Sequence, residues 1–447
     1  MQVKLNSSIW CCLSESGFSL DEMVIRLKEL FEEEGFPGIM KLIISLVQER
    51  LIAGSVAGRK SWGCCDGPCY VLNGGYPRSL KTSLGKVTMN WFRLKCKNCG
   101  GDVVPLKVFM GIEKHQYNSG ELEQLVIDAV SKDSYRRAVQ SVASTGFVRV
   151  SHSSAHRWVM ESDCDELDFS GKTTKDSGAV QILPDGTGFK GRPKSGAAEK
   201  GELKVMIGVD KQGDVFPMGA WAGESWNDVH EKLKGRLKSL PEGSILLSDG
   251  ERGISEAFTD MVDEEQRCHW HLSRDLYHTM WQDGGTVKES RPLQKALAGV
   301  LAIELPKEDM SEVSEAQKDE IEERMEKAES AIVKLISYLE VQGYNKAANY
   351  LENARRGMFG YVRRWLKLGI ICPRASSMIE RVMRELGRRL KKLSYNWSDK
   401  GIAKVARIIL KKFTDPKQWN EYWKKKLRLD GNVIFGLIEI SPLSQNL

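Results

Sequence analysis

The sequence predicts a mixed α/β protein whose sheet carries a helical insertion and is preceded by helical and cysteine-rich segments. Between residues 176 and 271, short apolar runs separated by turn residues predict three strands, then a helix, a strand, a helix and a fifth strand. Residues 273–365 have an almost entirely helical pattern. Residues 60–105 contain five cysteines. Strands that alternate with helices favour a mixed sheet, and the later helices form an insertion within it.

Length and composition indicate a soluble protein with several domains. The chain has 447 residues, and 66 basic residues against 60 acidic ones give a net charge of +6. Basic residues concentrate at 190–204 and 381–392. The apolar run at 39–53 is short and contains charges, so no membrane span is expected. The first residues lack the apolar core of a secretion signal, so we expect a cytoplasmic protein.

Residues 19–55 predict two helices. Apolar residues recur at helical spacing from Leu20 to Phe31, and the Gly35–Gly38 segment, GFPG, breaks the pattern. We interpret the pair as a cover for part of the core or as a dimer contact.

The cysteines predict a zinc ribbon. Cys96 and Cys99 form a Cys-x-x-Cys knuckle followed by glycines, and a strand at 87–94 leads into it. Cys65 and Cys69 supply the other two thiolates, with Cys64 as the alternative to Cys65. Four thiolates suit a structural, tetrahedral Zn²⁺ site. The alternative is that the cysteines hold no metal.

Residues 119–162 predict three helices with the pattern of a helix-turn-helix. The first two lie at 121–130 and 135–143, and Ser151 caps the third. In the third helix, Ala155, Trp158 and Val159 face inwards. The side chains that face outwards, as in a helix that reads the DNA major groove, are His152, Ser153, His156 and Arg157. A plain three-helix packing unit is the alternative.

Two aspartates follow predicted strands. The strands are expected at 180–183, 203–209, 215–221, 244–248 and 267–271, and the helices at 226–240 and 254–262. Asp185 ends the first strand and Asp249 the fourth, and each precedes a glycine that turns the backbone away. Basic residues come soon after Asp185, at Lys190, Arg192 and Lys194.

The segment 376–393 predicts an amphipathic helix that carries a third acid. Glu380 begins a polar face on which Arg384, Arg388 and Lys391 follow at helical spacing. A carboxylate at the start of a cationic stripe suits a site that holds a metal and tracks a phosphate backbone. The alternative is an ordinary helix with an intrahelical Glu–Arg pair.

Asp185, Asp249 and Glu380 would form one site if the first and fourth strands are neighbours and the last helix packs across them. Two-metal phosphoryl chemistry needs carboxylates that bridge two Mg²⁺ ions about 4 Å apart. The rival acids are Asp210, which also ends a strand, Asp228 and Glu251.

Four stretches share an order and a spacing that are informative together. They are DGTGF at 185–189, LLSDGERG at 246–253, RCHWHLSRDL at 267–276 and SSMIERVMRELGRR at 376–389, the last followed by Tyr395, Asn396 and Trp397. Together they resemble the Mutator-like DDE transposases of bacterial and archaeal insertion sequences. The resemblance covers roughly 176–410. Cys268 and His271 match a Cys-x-x-His signature pair. We favour a hydrogen-bonding role for them, because zinc would need further ligands.

The resemblance implies a ribonuclease-H-like catalytic domain in which Asp185, Asp249 and Glu380 hold two Mg²⁺ or Mn²⁺ ions. It implies metal-dependent cleavage and strand transfer at the inverted-repeat ends of an insertion sequence, by a nucleoid-associated homodimer in a synaptic complex with double-stranded DNA. The alternatives are a transposase-derived, non-catalytic DNA-binding regulator and a structure-selective nuclease on the same fold.

This interpretation predicts seven segments. They are N-terminal helices at 1–57, a zinc-ribbon-like domain at 58–112, a helix-turn-helix domain at 113–172, the first part of the catalytic core at 173–285, a helical insertion at 286–365, the C-terminal helices of the core at 366–415 and a tail at 416–447.

Overall fold

The computed structural model divides the chain into two compact units, Met1–Trp158 and Val159–Leu447. The residues that it describes are 19–146, 148–174, 178, 180–192, 199–237, 240–251, 253–307, 310–391 and 396–431. The finer domain limits given above remain predictions.

The first unit begins with a long helical segment. Helix α1 spans Leu20–Leu30, a π-helical turn spans Phe31–Gly35, and α2 spans Phe36–Val56. The expected break at Gly35–Gly38 is therefore wrong, since a π turn absorbs it and the helix continues. Within α2, Gln48 is buried and bonds to the backbone of the sheet next to it: its Nε2 donates to Asn90 O (3.0 Å) and its Oε1 accepts from Phe92 N (3.1 Å).

An antiparallel sheet in the order β1-β2-β3 lies beside α2. Its strands are β1 (Tyr70–Thr82), β2 (Gly85–Cys96) and β3 (Asp102–Val103). The predicted strand at 87–94 lies within β2. Strand β1 escaped prediction because its glycines and Pro77 are typical of loops, and a register shift between Leu72 and Gly75 interrupts its alternation.

Four helices complete this part of the chain. They are α3 (Pro105–Phe109), α4 (Gly120–Val130), α5 (Tyr135–Thr145) and α6 (His152–Glu161), and the boundary between the two units falls within α6. Serines at 119, 134 and 151 accept hydrogen bonds from the first turns of α4, α5 and α6. These three helices lie where the sequence predicted them.

The second unit contains a five-stranded mixed sheet in the order β6-β5-β4-β7-β8. The strands are β4 (Gln181–Lys190), β5 (Lys200–Val209), β6 (Val215–Ala222), β7 (Ile245–Ser248) and β8 (Glu264–Arg267). The first three are antiparallel, whereas β7 runs parallel to β4 and β8 parallel to β7. As expected, the first and fourth predicted strands are neighbours.

Two short helices follow the strands on one face of this sheet. Helix α7 spans Trp226–Lys234 and α8 spans Ile254–Phe258, so both end before their predicted limits. Their apolar side chains share a buried cluster with Ile182 of β4 and Met206 of β5.

Two strand predictions need correction. Strand β4 continues to Lys190 because β5 pairs with it along its whole length, so Asp185 lies within the strand and not at its end. Strand β8 ends at Arg267, and helix α9 (His269–Gln282) begins where the strand was expected to continue. Leu272, Leu276 and Met280, all buried and four residues apart, form the inner face of this helix.

The predicted helical insertion is present. Its helices are α10 (Val287–Leu301), α11 (Glu315–Val341), α12 (Asn345–Ala354) and α13 (Gly360–Leu368), and they share one buried cluster with α9. Helix α14 (Ser377–Leu390) then packs against β4, α15 (Asp399–Thr414) packs against β6, and α16 (Pro416–Lys426) follows in the segment predicted as a tail. No described helix is both long and apolar enough to span a membrane.

Candidate active site

The parallel register of β4 and β7 brings Asp185 and Asp249 side by side. Gln181 pairs with Ile245 and Ile182 pairs with Leu246. The same offset places Asp185 level with Asp249, the residue that follows β7. Strand β4 thus extends past its shorter neighbour, and both aspartates lie at the carboxyl edge of the parallel pair.

Asp185 points to the face of the sheet that α14 covers. Successive side chains of a strand alternate between faces, so Asp185 shares a face with Gln181. Gln181 Nε2 donates to Pro373 O (3.5 Å), in the segment that leads into α14. Gly186 faces the other side, where a Cβ would meet Glu251 Oε2 at 2.5 Å. The absence of a side chain at Gly186 therefore makes room for a carboxylate, and the predicted backbone turn there is wrong.

Burial and the carboxylates nearby raise the pKa of Asp185. Burial and then the negative charge of Asp249 raise the pKa of Asp185 to about 7, Glu251 adds to the increase, and the charge of His271 opposes it. A carboxyl group held among like charges favours the binding of a cation, because a cation offsets both the repulsion and the lost hydration.

A tight turn fixes the chain after Asp249. Asp249 Oδ1 accepts a hydrogen bond from Glu251 N (2.9 Å), and Arg267 Nη2 donates to Asp249 O (3.1 Å). Gly250 has φ +93°, and a Cβ there would lie 1.5 Å from Arg267 Nη2. The Asp-Gly sequence is therefore required at this position, as predicted for a turn that follows the acid.

Glu380 lies in the first turn of α14, next to the Cys-x-x-His pair. The ligand atoms of Cys268, His271 and Glu380 all lie within 4.8 Å of one another. Cys268 is the residue before α9 and His271 lies in its first turn, so three residues of separation place both side chains on one side of the helix. The strand predicted at 267–271 is therefore wrong, and nothing in the sequence indicates that Glu380 joins the pair.

Electrostatic coupling links this cluster to the aspartates. Burial works to raise the pKa of Cys268, but hydrogen bonds with His271 and Ser376 lower it to about 7. Burial also works to lower the pKa of His271, yet its hydrogen bond with Cys268 and the charges of Cys268 and Asp249 raise it. His271 thus lies in the field of the thiol, of Asp249 and of Asp185.

His269, between the pair, is directed elsewhere. Its Nε2 lies 2.8 Å from Met358 O, and burial lowers the pKa of His269 to about 4. It is a neutral structural histidine that joins α9 to the insertion.

The rival acids have other roles. Strands β4 and β5 are antiparallel, so Asp210, just after β5, lies next to the start of β4, whereas Asp185 lies in the middle of that strand. There it accepts from Lys172 Nζ (2.6 Å) and from Asp214 N (2.9 Å). Asp228 forms the capping box of α7 with Ser225. Glu251 accepts from Trp226 Nε1 (2.7 Å) on the α7 side of the sheet, and is the one rival that lies near the aspartates.

The predicted phosphate-binding side chains are exposed wherever the structure describes them. They are Lys190, Arg192, Arg384, Arg388 and Lys391. Trp397 N donates to Lys190 O (2.9 Å) and Arg192 N donates to Trp397 O (2.9 Å), which ties the end of β4 to the chain beyond α14. Arg388 pairs with Glu385, and Glu380 bonds to Ser376 instead of the arginine expected in the alternative interpretation. Lys194 and Tyr395 lie outside the described residues.

Four cysteine sulfurs gather in the first unit. The group consists of Cys64, Cys65, Cys96 and Cys99, whose sulfurs lie within 4.8 Å of one another. Cys69, one of the predicted ligands, lies outside this group, and Cys64 joins it instead. The next residue, Tyr70, begins β1 and is buried, so alternation turns Cys69 outwards. A hydrogen bond from the Cys99 backbone contributes most to lowering the pKa of Cys96 to about 6, which favours the thiolate that zinc binds.

In α6, the burial pattern separates two faces. Ala155, Trp158 and Val159 are buried. The predicted DNA-facing side chains, His152, Ser153, His156 and Arg157, are exposed. The ring of His156 also lies 5.2 Å from that of Tyr135 in α5.

Ser376 is a member of the cluster around Glu380 that the sequence did not reveal. It is buried, and its hydroxyl lies within hydrogen-bond distance of Glu380, Cys268 and His271. Its spacing of four residues from Glu380 on a helix is the one signal of this contact in the sequence.

Two aspartates lie level with each other at the edge of a mixed sheet, and Glu380 lies beside His271, which interacts electrostatically with both aspartates. Carboxylate oxygens are the ligands that divalent ions such as Mg²⁺ prefer. The chain belongs to the Mutator family of transposases, whose family model matches residues 26–400. Membership supports a transposase role and a DNA-acting protein, and such enzymes are typically metal-dependent. A search of curated proteins finds no significant match to the sequence.

Proposed function

We propose that this protein is a DDE transposase with a ribonuclease-H-like core, which cleaves DNA at the ends of its own insertion sequence and joins them to target DNA. The observation that carries the proposal is the register of β4 and β7, which pairs Ile182 with Leu246 and so puts Asp185 level with Asp249. The sheet order, with three antiparallel strands and two parallel ones, supports the fold assignment.

The residues of this site fit Mg²⁺ or Mn²⁺. Both ions prefer carboxylate oxygens, and Asp185, Asp249 and Glu380 provide them. Burial, and then the charge of Asp249, raise the pKa of Asp185 to about 7, which supports a position where a bound cation would stabilise the ionised carboxylate. Bound there, two ions would activate the attacking oxygen and stabilise the leaving 3′-oxygen.

The reaction that we propose has two displacements at phosphorus. In the first, a water oxygen bonds to the phosphorus at the element end, the bond to the 3′-oxygen breaks, and a 3′-hydroxyl is released. In the second, that hydroxyl attacks a phosphorus of target DNA and displaces another 3′-oxygen. The protein must hold Asp185 ionised and position each phosphate in line, and the exposed Lys190, Arg192 and Arg384 would bind the flanking phosphates.

The first unit would recognise the ends. Helices α4–α6 have the lengths of a helix-turn-helix, and the exposed face of α6 would enter the major groove. The four cysteines would hold a structural Zn²⁺ as a zinc ribbon. We further propose a synaptic homodimer that works in the cytoplasm at the nucleoid.

The test is cleavage of DNA that carries the inverted repeats flanking the gene. We expect a nick at the repeat boundary that requires Mg²⁺ or Mn²⁺ and leaves a 3′-hydroxyl. A footprint on the repeats without any cleavage in either metal would contradict the proposal and favour a DNA-binding regulator.

The raised pKa of Asp185 predicts a pH-dependent stability without divalent ions. An acid whose pKa is raised by folding does not lower the free energy of unfolding at pH values below its ordinary pKa of 3.8. Above that value the folded protein loses stability progressively, until the acid is ionised at about pH 7. Asp185→Asn should therefore increase the free energy of unfolding of the Mg²⁺-free protein more at pH 8 than at pH 5, by up to about a few kcal/mol. The rise in Tm should be larger at pH 8 for the same reason. Thermal melts at the two pH values measure this.

Asp228→Asn is the control for this experiment. Hydrogen bonds from Ser225 hold the pKa of Asp228 below its usual range, so its removal should bring no gain in Tm as pH rises. Equal Tm gains for Asp185→Asn at both pH values would contradict the account of Asp185.

The cationic face of α14 predicts a salt-dependent effect. Arg384→Ala should weaken binding to any duplex and lower the slope of log K against log salt by about 0.9, the value for one phosphate contact. The control is Lys232→Ala on α7, which covers the opposite face of the sheet and pairs with Glu224 at 2.6 Å. Fluorescence anisotropy at several salt concentrations measures the slope for each variant. Equal slopes for Arg384→Ala and Lys232→Ala would show that Arg384 does not contact a DNA phosphate.

A further inference from the structure

We propose that Ser376 is a positioning residue that orients the Glu380 carboxylate, and that Cys268 and His271 act on Glu380 through the Ser376 hydroxyl. The inference rests on the proposed function, because it assigns the Cys-x-x-His pair a role at the third acid of that site.

The argument begins with the position of the Ser376 side chain. Ser376 is 3% exposed. Its Oγ lies 3.0 Å from Glu380 Oε1, 3.3 Å from Cys268 Sγ and 3.4 Å from His271 Nδ1. One buried hydroxyl is therefore in contact with the third acid and with both members of the signature pair.

The single proton of the Ser376 hydroxyl decides which group donates and which accepts in each of these hydrogen bonds. A serine hydroxyl has one proton to donate and two lone pairs, whereas an ionised carboxylate can only accept. Hydrogen bonds to a charged acceptor are the stronger ones, and the bond to Glu380 is also the shortest of the three. The hydroxyl proton therefore goes to Glu380, and the Ser376 oxygen is left to accept from His271 Nδ1, while the Cys268 sulfur accepts from Ser376 N.

The backbone holds the Cys-x-x-His pair between the elements that carry the acids. Cys268 N donates to Ser248 O (2.8 Å), the residue before Asp249. On the other side, His269 N donates to Arg374 O (2.9 Å) and Ser376 N donates to Cys268 Sγ (3.3 Å). The pair thus joins the end of β7 to the start of α14, and it fixes where Glu380 lies relative to Asp249.

The same geometry argues against a separate metal at Cys268, His271 and Glu380. Their ligand atoms are close enough to share an ion. However, the Ser376 hydroxyl is within hydrogen-bond distance of all three, so it occupies the position that an ion would need. The cluster is therefore a hydrogen-bonded support for Glu380, of the kind that orients metal ligands from outside the metal's own shell.

The test compares Ser376→Ala with Ser377→Ala, which removes the neighbouring, exposed hydroxyl of the same helix. Ser376→Ala should keep DNA affinity and lower the cleavage rate by about 10–100-fold, with a higher Mg²⁺ concentration at half-maximal rate. Ser376→Thr, which keeps the hydroxyl, should recover part of the rate. Ser377→Ala should match the wild-type protein.

A double-mutant cycle tests the relay itself. If the pair acts through Ser376, Cys268→Ala should slow the wild-type protein but add little to Ser376→Ala. Losses that multiply would overturn the inference. Loss of one bound zinc per chain in Cys268→Ala would also overturn it, because the cluster would then be a metal site.

Mn²⁺ binding, followed by electron paramagnetic resonance, gives a readout that does not depend on turnover. We expect weaker Mn²⁺ binding by Ser376→Ala than by Ser377→Ala. Equal binding and equal cleavage by the two variants would refute the inference while leaving the proposed function intact. A wild-type protein that neither binds Mn²⁺ nor cleaves end-bearing DNA would instead refute the proposed function.

Discussion

Asp249→Asn should lower the rate of end cleavage by roughly 10³-fold or more while the protein still binds the ends. Asparagine keeps the size of the side chain and the oxygen that accepts from Glu251 N, so the turn after β7 should survive. It removes the charge that the neighbouring Asp185 experiences. Single-turnover cleavage and a mobility-shift assay on the same DNA separate chemistry from binding.

Asp210→Asn is the matched control. This buried acid follows β5, but it lies next to the start of β4 and bonds to Lys172. Its replacement should lower stability and leave the cleavage rate of the folded protein unchanged. If Asp210→Asn abolished cleavage in the folded protein and Asp249→Asn did not, the assignment of the site would be wrong.

Cys96→Ser should release one Zn²⁺ per chain and abolish binding to the ends. Structural zinc contributes on the order of 10–16 kcal/mol in small zinc modules, and the core cluster next to the knuckle is small. Tyr70, Leu94 and Cys96 itself are the buried members of its small core cluster. Zinc analysis, circular dichroism and mobility shift of the purified protein measure the effect.

Cys69→Ser distinguishes the structural assignment from the sequence-based one. Cys69 is exposed and lies outside the group of four sulfurs, so this variant should keep its zinc and its DNA affinity. Cys64→Ser should lose both. The reverse result for the two variants would show that Cys69 is the ligand.

The spacing of apolar residues predicted most helices and strands, but it was less informative in segments whose residues are typical of more than one kind of structure. The strand predicted at 267–271 is wrong, because β8 ends at Arg267 and helix α9 begins at His269. Because Cys268 in fact precedes a helix, its side chain and that of His271 share a side. Strand β1 was not predicted because its glycines and Pro77 are typical of loops. A register shift in the strand interrupts the alternation of its side chains.

The candidate acids could be chosen from sequence because each lies beside a recognisable element, but their arrangement depends on tertiary pairing. The antiparallel pairing of β4 with β5 separates Asp210 from Asp185, and the parallel pairing of β4 with β7 brings Asp249 to it. Ser376 could not be singled out, since its partners at 268 and 271 are more than 100 residues away in the chain.

Strand transfer is the most direct test of the proposal that this chain is an active transposase. Pre-cleaved ends with free 3′-hydroxyls, incubated with the protein, Mg²⁺ or Mn²⁺ and a supercoiled plasmid, should yield plasmid covalently joined to the end DNA. The product should be absent with Asp249→Asn and present with Asp210→Asn. Cleavage of the ends with no joined product in either metal would contradict the account and indicate a nuclease.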